Sequence, residues 1–314
     1  MTATDISELI KRSVDSSEAE EGLYGGSIVV LVALYDDLLE KRKGEISSES
    51  GHNFTLNMLE SASVMQDSVI GWNEIHNHFI RYQTSSNILT FIDNLGLLYT
   101  SEVPCSDKME VFQTENIRLI VRTSVAIEET TCFSSSDQQN VICFPHSALQ
   151  FSRLNCTTFV SSFYSERNER SQMFPNYISN ETSAEDTSSL HHHLIGLSVD
   201  NQTVRLEGSE GSLIRLEFTH PDPDLTGAGA VRDCVWWDTA GLAWSRAGCE
   251  VSEEDSTASM TVCHCDHLTN FGVMFDYRGQ ADPQDPVFTL LSTVLLSLSA
   301  LSILVTQAFL ALTK

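Results

Sequence analysis

The sequence predicts an α+β protein: an N-terminal helical subdomain, then an antiparallel β-sandwich, then one transmembrane α-helix. Three observations predict it. Apolar residues recur every three or four positions between Ile6 and Tyr99; beyond about residue 105 the period becomes two; and residues 287–313 carry no charged side chain. On these patterns the chain divides into 1–105 (helical), 106–277 (sandwich), 278–286 (linker) and 287–313 (membrane helix). A chain of 314 residues is long enough for two folding units.

In the helical part, Met58, Ala62, Met65, Val69, Trp72, Ile75 and Phe79 trace one stripe, predicting a single helix of about seven turns. Ile28, Leu31, Tyr35 and Leu38 mark a shorter helix, and Ile88, Phe91, Leu95 and Leu98 another, with Ser86 as its N-cap. These stripes read as core packing. In the sandwich, Ile117, Leu119 and Val121 alternate with Arg118 and Arg122, and Ile214, Leu216 and Phe218 alternate with Arg215 and Glu217. Ser, Asn, Gly and Pro clusters between such runs favour antiparallel pairing. The polar insert from Ser165 to Ser189 reads as a mobile loop.

The apolar run VFTLLSTVLLSLSALSILVTQAFLALT (287–313) exceeds the roughly 20 residues needed to cross a bilayer. Asp276, Asp282 and Asp285 precede it and Lys314 follows, which puts the N-terminal part outside the cell. Ser292, Ser299, Ser302 and Thr306 form a small-polar stripe suited to packing against further membrane helices. Four N-glycosylation sequons begin at Asn53, Asn155, Asn180 and Asn201; with eight cysteines upstream of the run they fit an oxidising lumen. The start, MTATDISELIKR, lacks a cationic-then-apolar leader, so a leader and further modules are expected upstream of residue 1. With 43 acidic and 18 basic residues the net charge is −25, which excludes nucleic acid as a partner.

Chemistry concentrates in CHCDHLTNF, residues 263–271. Cys234, Cys249, Cys263 and Cys265, with His264 and His267, could be read as zinc ligands. Structural zinc sites favour Cys-x2-Cys, however, whereas Cys-x-Cys in an extended strand puts both sulfurs on one face, free to meet different partners. Two disulfides therefore fit better, and no metal or other cofactor is expected. His191, His192 and His193 read as a solvated tract, and PDPD (221–224) and SEEDS (252–256) as solvated turns lacking alternating calcium ligands.

The triplet His267-Leu268-Thr269 suggests reactivity. An imidazole near neutral pH can take the proton of a threonine hydroxyl, which is a weak nucleophile without a base. On a tight turn that hydroxyl can attack the preceding carbonyl carbon, giving an ester by N-to-O acyl shift that water then cleaves. Cross-linked flanking strands would hold the reacting atoms close, an effect worth ~7 kcal/mol or more. The triplet alone is common; its surroundings make it informative.

Residues 234–275 resemble the GPCR proteolysis site, or GPS, of adhesion G-protein-coupled receptors. The likeness rests on Cys234, Trp236, Trp237, Trp244-Ser245, Gly248-Cys249, Thr261, Cys263-x-Cys265, His267-Leu268-Thr269 and Phe271. ENIRLIV (115–121) and CFPHSAL (143–149) extend it to the two-part GAIN domain that carries the motif, here placed at 234–277. The resemblance implies cleavage between Leu268 and Thr269, with His267 as base and Thr269 as nucleophile, and pairing of Cys234 with Cys263 and Cys249 with Cys265. It implies that the cleaved C-terminal fragment stays noncovalently bound, and that Thr269, Asn270, Phe271, Gly272, Val273, Met274 and Phe275 form a tethered agonist. Alternation puts Phe271, Val273 and Phe275 on one core face. Met274 and Phe275 stand where the family usually has Leu then Met.

The expected protein is thus the plasma-membrane receptor's extracellular region, cleaving its own bond once rather than turning over as an enzyme. Its partners would be the membrane, an unknown extracellular ligand, and a G protein only through helices absent from this chain. A single-pass adhesion protein and a polycystin-like membrane protein are the alternatives, and an intracellular zinc protein a remote one. Cys105, Cys132, Cys143 and Cys156 admit three pairings.

Overall fold

The computed structural model describes residues 2–20, 23–42, 48–101, 107–124, 130–145, 156–165, 173–175, 188–190, 193–199, 214–220, 231–276 and 299. Among them, five helices precede thirteen strands. The helices are α1 (Ala3–Glu20), α2 (Gly25–Arg42), α3 (Ser48–Asp67), α4 (Val69–Glu74) and α5 (His78–Ser101). A reciprocal pair opens α1: Thr2 N–H donates to Asp5 Oδ2 at 2.7 Å and Asp5 N–H to Thr2 Oγ1 at 3.1 Å, satisfying donors that a first turn leaves unpaired. Along its length α1 lies on α3, joined by the Lys11–Glu60 ion pair and by Asn57 Nδ2 donating to Ser7 Oγ at 3.2 Å.

The expected seven-turn helix is broken. Ser68 leaves helical geometry at ψ 82° and Ile75 at ψ 81°, so the stripe is divided among α3, α4 and α5. Local packing explains the break. Ser68 Oγ donates to Leu23 O at 3.0 Å, and Gly71 sits so close to the start of α2 that a Cβ there would come within 2.5 Å of Leu23 O and Ile28 Cδ1. Trp72 and Ile75 remain buried, Trp72 Nε1 donating to Met65 O at 2.8 Å, but Phe79 is 67% exposed. The Arg81 guanidinium donates twice to Ile75 O, at 2.9 and 2.7 Å, and holds the corner into α5. Ser86, expected as an N-cap, lies inside α5 and is 2% exposed.

The strands are β1 (Lys108–Gln113), β2 (Ile117–Ser124), β3 (Thr130–Ser134), β4 (Val141–Pro145), β5 (Thr157–Ser165), β6 (Ser188–Leu190), β7 (His193–Val199), β8 (Ile214–Thr219), β9 (Val231–Asp238), β10 (Ala243–Ser245), β11 (Cys249–Val251), β12 (Met260–Cys265) and β13 (Asn270–Asp276). One sheet runs β1-β2-β5-β7-β13-β9-β10, with β6 also paired to β13; the other runs β11-β12-β8-β4-β3. Their strand pairs are antiparallel, as the period-two segments separated by turn-forming clusters predict.

The larger sheet is covered on both faces. Its Ile117, Leu119, Val121, Trp237 and Met274 join the helices in one core, while Ile120, Phe159, Phe163, Phe271 and Val273 join the smaller sheet in another. Gly96 of α5 lets helix and sheet meet closely, since a Cβ there would lie 2.5 Å from Val160 Cγ1. The smaller sheet turns one face to solvent: β8 alternates buried and half-buried residues throughout, as its sequence predicts.

Part of the polar insert is fixed rather than loose. Met173 and Phe174 are 2% and 7% exposed, Met173 O accepts from Ser85 Oγ at 2.6 Å, and Phe174 packs on Trp237 and Trp244 with ring centroids 4.9 and 5.4 Å apart. Ser188–Leu190 forms β6, and most of the remaining insert lies outside the described residues. The expected membrane helix at 287–313 and linker at 278–286 also lie outside them, apart from Ser299. Among the described residues no helix is long and apolar enough to cross a membrane.

Candidate functional site

The site is built where β12 turns into β13. Cys249 and Cys265 face each other across the β11–β12 ladder and are bonded, with Cα atoms 4.2 Å apart. Cys263, two residues earlier on the same buried face of β12, is bonded to Cys234 of β9 in the other sheet at a Cα separation of 5.8 Å. One link thus pins β12 to its neighbour and the other pins the two sheets together, which is what same-face sulfurs at i and i+2 permit. Cys132 and Cys143 form a third disulfide across β3–β4, and Cys156 is disulfide-bonded; Cys105 lies outside the described residues.

Asp266, His267, Leu268 and Thr269 make the bend between these strands. His267 is half-buried, with its ring edge-on to Trp236 at a centroid distance of 4.6 Å and tilted on Phe271 at 5.6 Å. Its Nδ1 lies 2.7 Å from Asp266 Oδ1, and its Nε2 is buried with no hydrogen-bond partner among the described residues. Leu268 packs on the inter-sheet core. Thr269 donates its hydroxyl to Trp237 O at 3.5 Å, and its carbonyl accepts from Leu197 N–H at 3.2 Å. The imidazole and the hydroxyl therefore share one bend but are not hydrogen-bonded to each other. Such contacts commonly close only as a reaction proceeds.

Strand β13 leaves the bend into the centre of the larger sheet. It pairs with β9 from Phe271↔Trp236 to Asp276↔Val231, and on its other edge with β7 and then β6. Phe271, Val273 and Phe275 are at most 3% exposed and face the smaller sheet, as alternation predicts. Met274 is fully buried on the opposite face, in the core shared with the helices. Asn270 lies opposite Gly196, where a Cβ would come within 2.5 Å of Asn270 Oδ1. At the far end His220 stacks edge-on to Phe275 at 4.9 Å and its Nε2 lies 2.7 Å from Thr261 Oγ1; burial, then the nearby Arg232 charge, pushes its pKa down to about 4.

Of the other expected sites, Asn53 is exposed on α3 beside Lys11, Arg12 and Asn57. Asn155, Asn180 and Asn201 lie outside the described residues, as do His191, His192 and residues 221–224. Asp255 of the SEEDS turn pairs with Arg215 at 2.6 Å. Among the described residues no three His, Cys, Asp or Glu side chains are grouped to hold a metal.

Two buried polar groups went unnoticed in the sequence. Trp237, whose carbonyl meets Thr269, anchors its indole by donating Nε1–H to Ser86 Oγ of α5 at 2.7 Å. Asp93 of α5 is only partly covered as a residue, yet its Oδ1 is sealed from solvent without a hydrogen-bond partner among the described residues, and burial pushes its pKa up to about 7 against a lowering contribution from Ser198. Neither pairing has a local sequence signal, because each joins residues far apart in the chain.

Comparison with known proteins follows the same architecture. The family described as GPS, GAIN subdomain B, matches residues 102–279. Latrophilin-like protein 1 of Caenorhabditis elegans is 31% identical over 116 residues, covering 36% of this chain and 11% of its own. Adhesion G-protein coupled receptor G1 of Danio rerio is 32% identical over 125 residues (36% and 17%), and human adhesion G-protein coupled receptor G2 is 27% identical over 207 residues (61% and 19%). The chain therefore spans less than a fifth of the length of these relatives. The full extracellular region of zebrafish Gpr126/Adgrg6 shares the fold, with TM-score 0.53 and 18% identity over 85% of this chain and 34% of that one. With its family match covering more than half of its length, the chain belongs to the GPS and GAIN-domain family of adhesion G-protein-coupled receptors.

Proposed function

We propose that the chain is the self-cleaving extracellular region of a plasma-membrane adhesion receptor, and that it cuts itself once between Leu268 and Thr269. In the reaction the Thr269 hydroxyl gives its proton to His267 and bonds to the Leu268 carbonyl carbon. The Leu268–Thr269 C–N bond then breaks as the proton passes to the Thr269 nitrogen, leaving an ester. One water hydrolyses the ester, giving a carboxylate on Leu268 and a free amine and hydroxyl on Thr269. The observation that carries the reading is the placement of this triplet at a bend between two strands fixed by the Cys249–Cys265 and Cys234–Cys263 bonds.

The fragment beginning at Thr269 would stay bound noncovalently, because β13 is paired on both edges and buried on both faces. Residues 269–275 would then be a stored agonist strand, exposed when an extracellular ligand or force draws the N-terminal fragment away. Residues 287–313 would start the membrane part, and a G protein would be engaged only through helices beyond this chain. Glycans at Asn53, Asn155, Asn180 and Asn201 fit the same compartment. The test is a reducing, denaturing gel of the doubly tagged chain from secretory-competent cells beside Thr269→Ala. Two fragments from the wild type and one band from the variant are expected; one band from both overturns the self-cleavage reading.

A further inference from the structure

We propose that Asp266 is the positioning residue of this site: its carboxylate holds His267 as the Nδ1–H tautomer, so that the Nε2 lone pair is free to take the Thr269 proton. The inference rests on the self-cleavage reading above and adds to it a residue that selects which ring nitrogen acts.

The first ground is the contact itself. Asp266 Oδ1 lies 2.7 Å from His267 Nδ1. An ionised carboxylate only accepts, so this contact is a hydrogen bond only when Nδ1 carries the proton. A neutral ring protonated at Nδ1 has its lone pair on Nε2. The second ground is that Nε2 is buried and, among the described residues, makes no hydrogen bond, so none of their donors competes for that lone pair. Trp236 and Phe271 confine the ring, and the Trp236 indole is itself fixed by donating to Ala247 O at 2.7 Å.

The third ground is how Asp266 is held. Its N–H donates to Gly248 O at 2.9 Å, and Gly248 has φ +77°, a conformation that residues with a Cβ rarely adopt. A Cβ on Gly248 would collide with Asp266 Oδ1, so glycine leaves the space the carboxylate occupies. Gly248 precedes Cys249 and Asp266 follows Cys265, and those two cysteines are bonded. The disulfide therefore ties the carboxylate's seat to the strand that presents His267. Asp266 is exposed, and its bond to Gly248 O is made by its backbone N–H, which alanine keeps. Removing Asp266 should thus leave the fold intact while changing the ring.

In the cleavage step Nε2 accepts the proton of the Thr269 hydroxyl as the oxygen bonds to the Leu268 carbonyl carbon. The imidazolium keeps its Nδ1–H on Asp266, whose charge opposes the one just formed. The same Nε2–H then passes to the Thr269 nitrogen as the C–N bond breaks, restoring the neutral ring. No co-reactant enters before the final water.

The experiment uses the full chain in two forms. In the uncut Thr269→Ala background, nitrogen NMR of 15N-histidine-labelled protein, with His267 assigned by its loss in a further His267→Gln variant, reads the tautomer. Nδ1–H is expected with Asp266 present, and a shift toward Nε2–H with Asp266→Ala. With Thr269 intact, pulse-chase labelling should show Asp266→Ala slowing cleavage by about tenfold or more, within the range for a compromised general base, and Asp266→Asn recovering part of the rate because its amide oxygen can still accept from Nδ1–H. An Nε2–H ring in the presence of Asp266, or an unchanged tautomer and rate in Asp266→Ala, overturns the proposal. A chain that shows the Nδ1–H ring but never cleaves overturns the self-cleavage reading and the base role, and leaves the tautomer assignment standing.

Discussion

On the proposed self-cleavage, replacing Met274 by alanine should weaken the grip of the N-terminal fragment on strand β13 without altering the bend at 266–269. Met274 is fully buried in the core between the larger sheet and the helices, five residues beyond Thr269. Removing such a side chain loses its transfer free energy and leaves a cavity between layers fixed by Trp237 and Trp244, a combined cost of about 2–5 kcal/mol. At a middle value of about 3 kcal/mol, the equilibrium for releasing the strand rises by roughly two orders of magnitude. The assay captures cleaved chain through a C-terminal tag and follows loss of the N-terminal fragment during a urea ramp. Met274→Ala should release it at clearly lower urea, and Met274→Leu, which keeps the volume, should stay within about 1.5 kcal/mol of wild type. Equal release profiles for wild type and Met274→Ala would refute the claim that both faces of β13 are gripped.

Other substitutions test the surroundings. Ser86→Ala leaves the buried Trp237 indole N–H without its acceptor and should cost about 1–3 kcal/mol, read as a lower midpoint in chemical denaturation. Gly196→Ala puts a methyl against Ser162 and Asn270 and should destabilise by about 1–3 kcal/mol, with faster amide exchange in β13 than in the rest of the larger sheet. Asp93 has a folded pKa raised to about 7 from an ordinary 3.8, so the unfolded chain releases this proton first and the carboxyl opposes folding increasingly as pH rises through that window. Asp93→Asn should therefore stabilise the chain at pH 8, and the gain should vanish near pH 4 when denaturation midpoints of both proteins are compared.

How far the sequence disclosed this fold depends on whether the signal was local. The alternation of Ile214, Leu216 and Phe218 with Arg215 and Glu217 is visible because β8 meets a core on one side and solvent on the other. In β13 the same rule located Phe271, Val273 and Phe275 but gave no role to Met274, since period-two reasoning assigns one buried face and this strand has two. The helix breaks at Ser68 and Ile75 were hidden because Trp72 and Ile75 stay buried on either reading; the cause lies in α2, through Leu23 and Ile28 against Gly71. Ser86 looked like a cap because serine before an apolar run commonly is one. Its actual partner, the Trp237 indole, is 151 residues away. At the bend, residue types marked the chemistry, while the seat that Gly248 provides for Asp266 required the fold.

The most direct test of the central claim is the N-terminal sequence of the C-terminal fragment isolated from secretory-competent cells. The account predicts a single new terminus reading TNFGVMF, absent from Thr269→Ala. A terminus elsewhere, or a chain that remains whole, would contradict it.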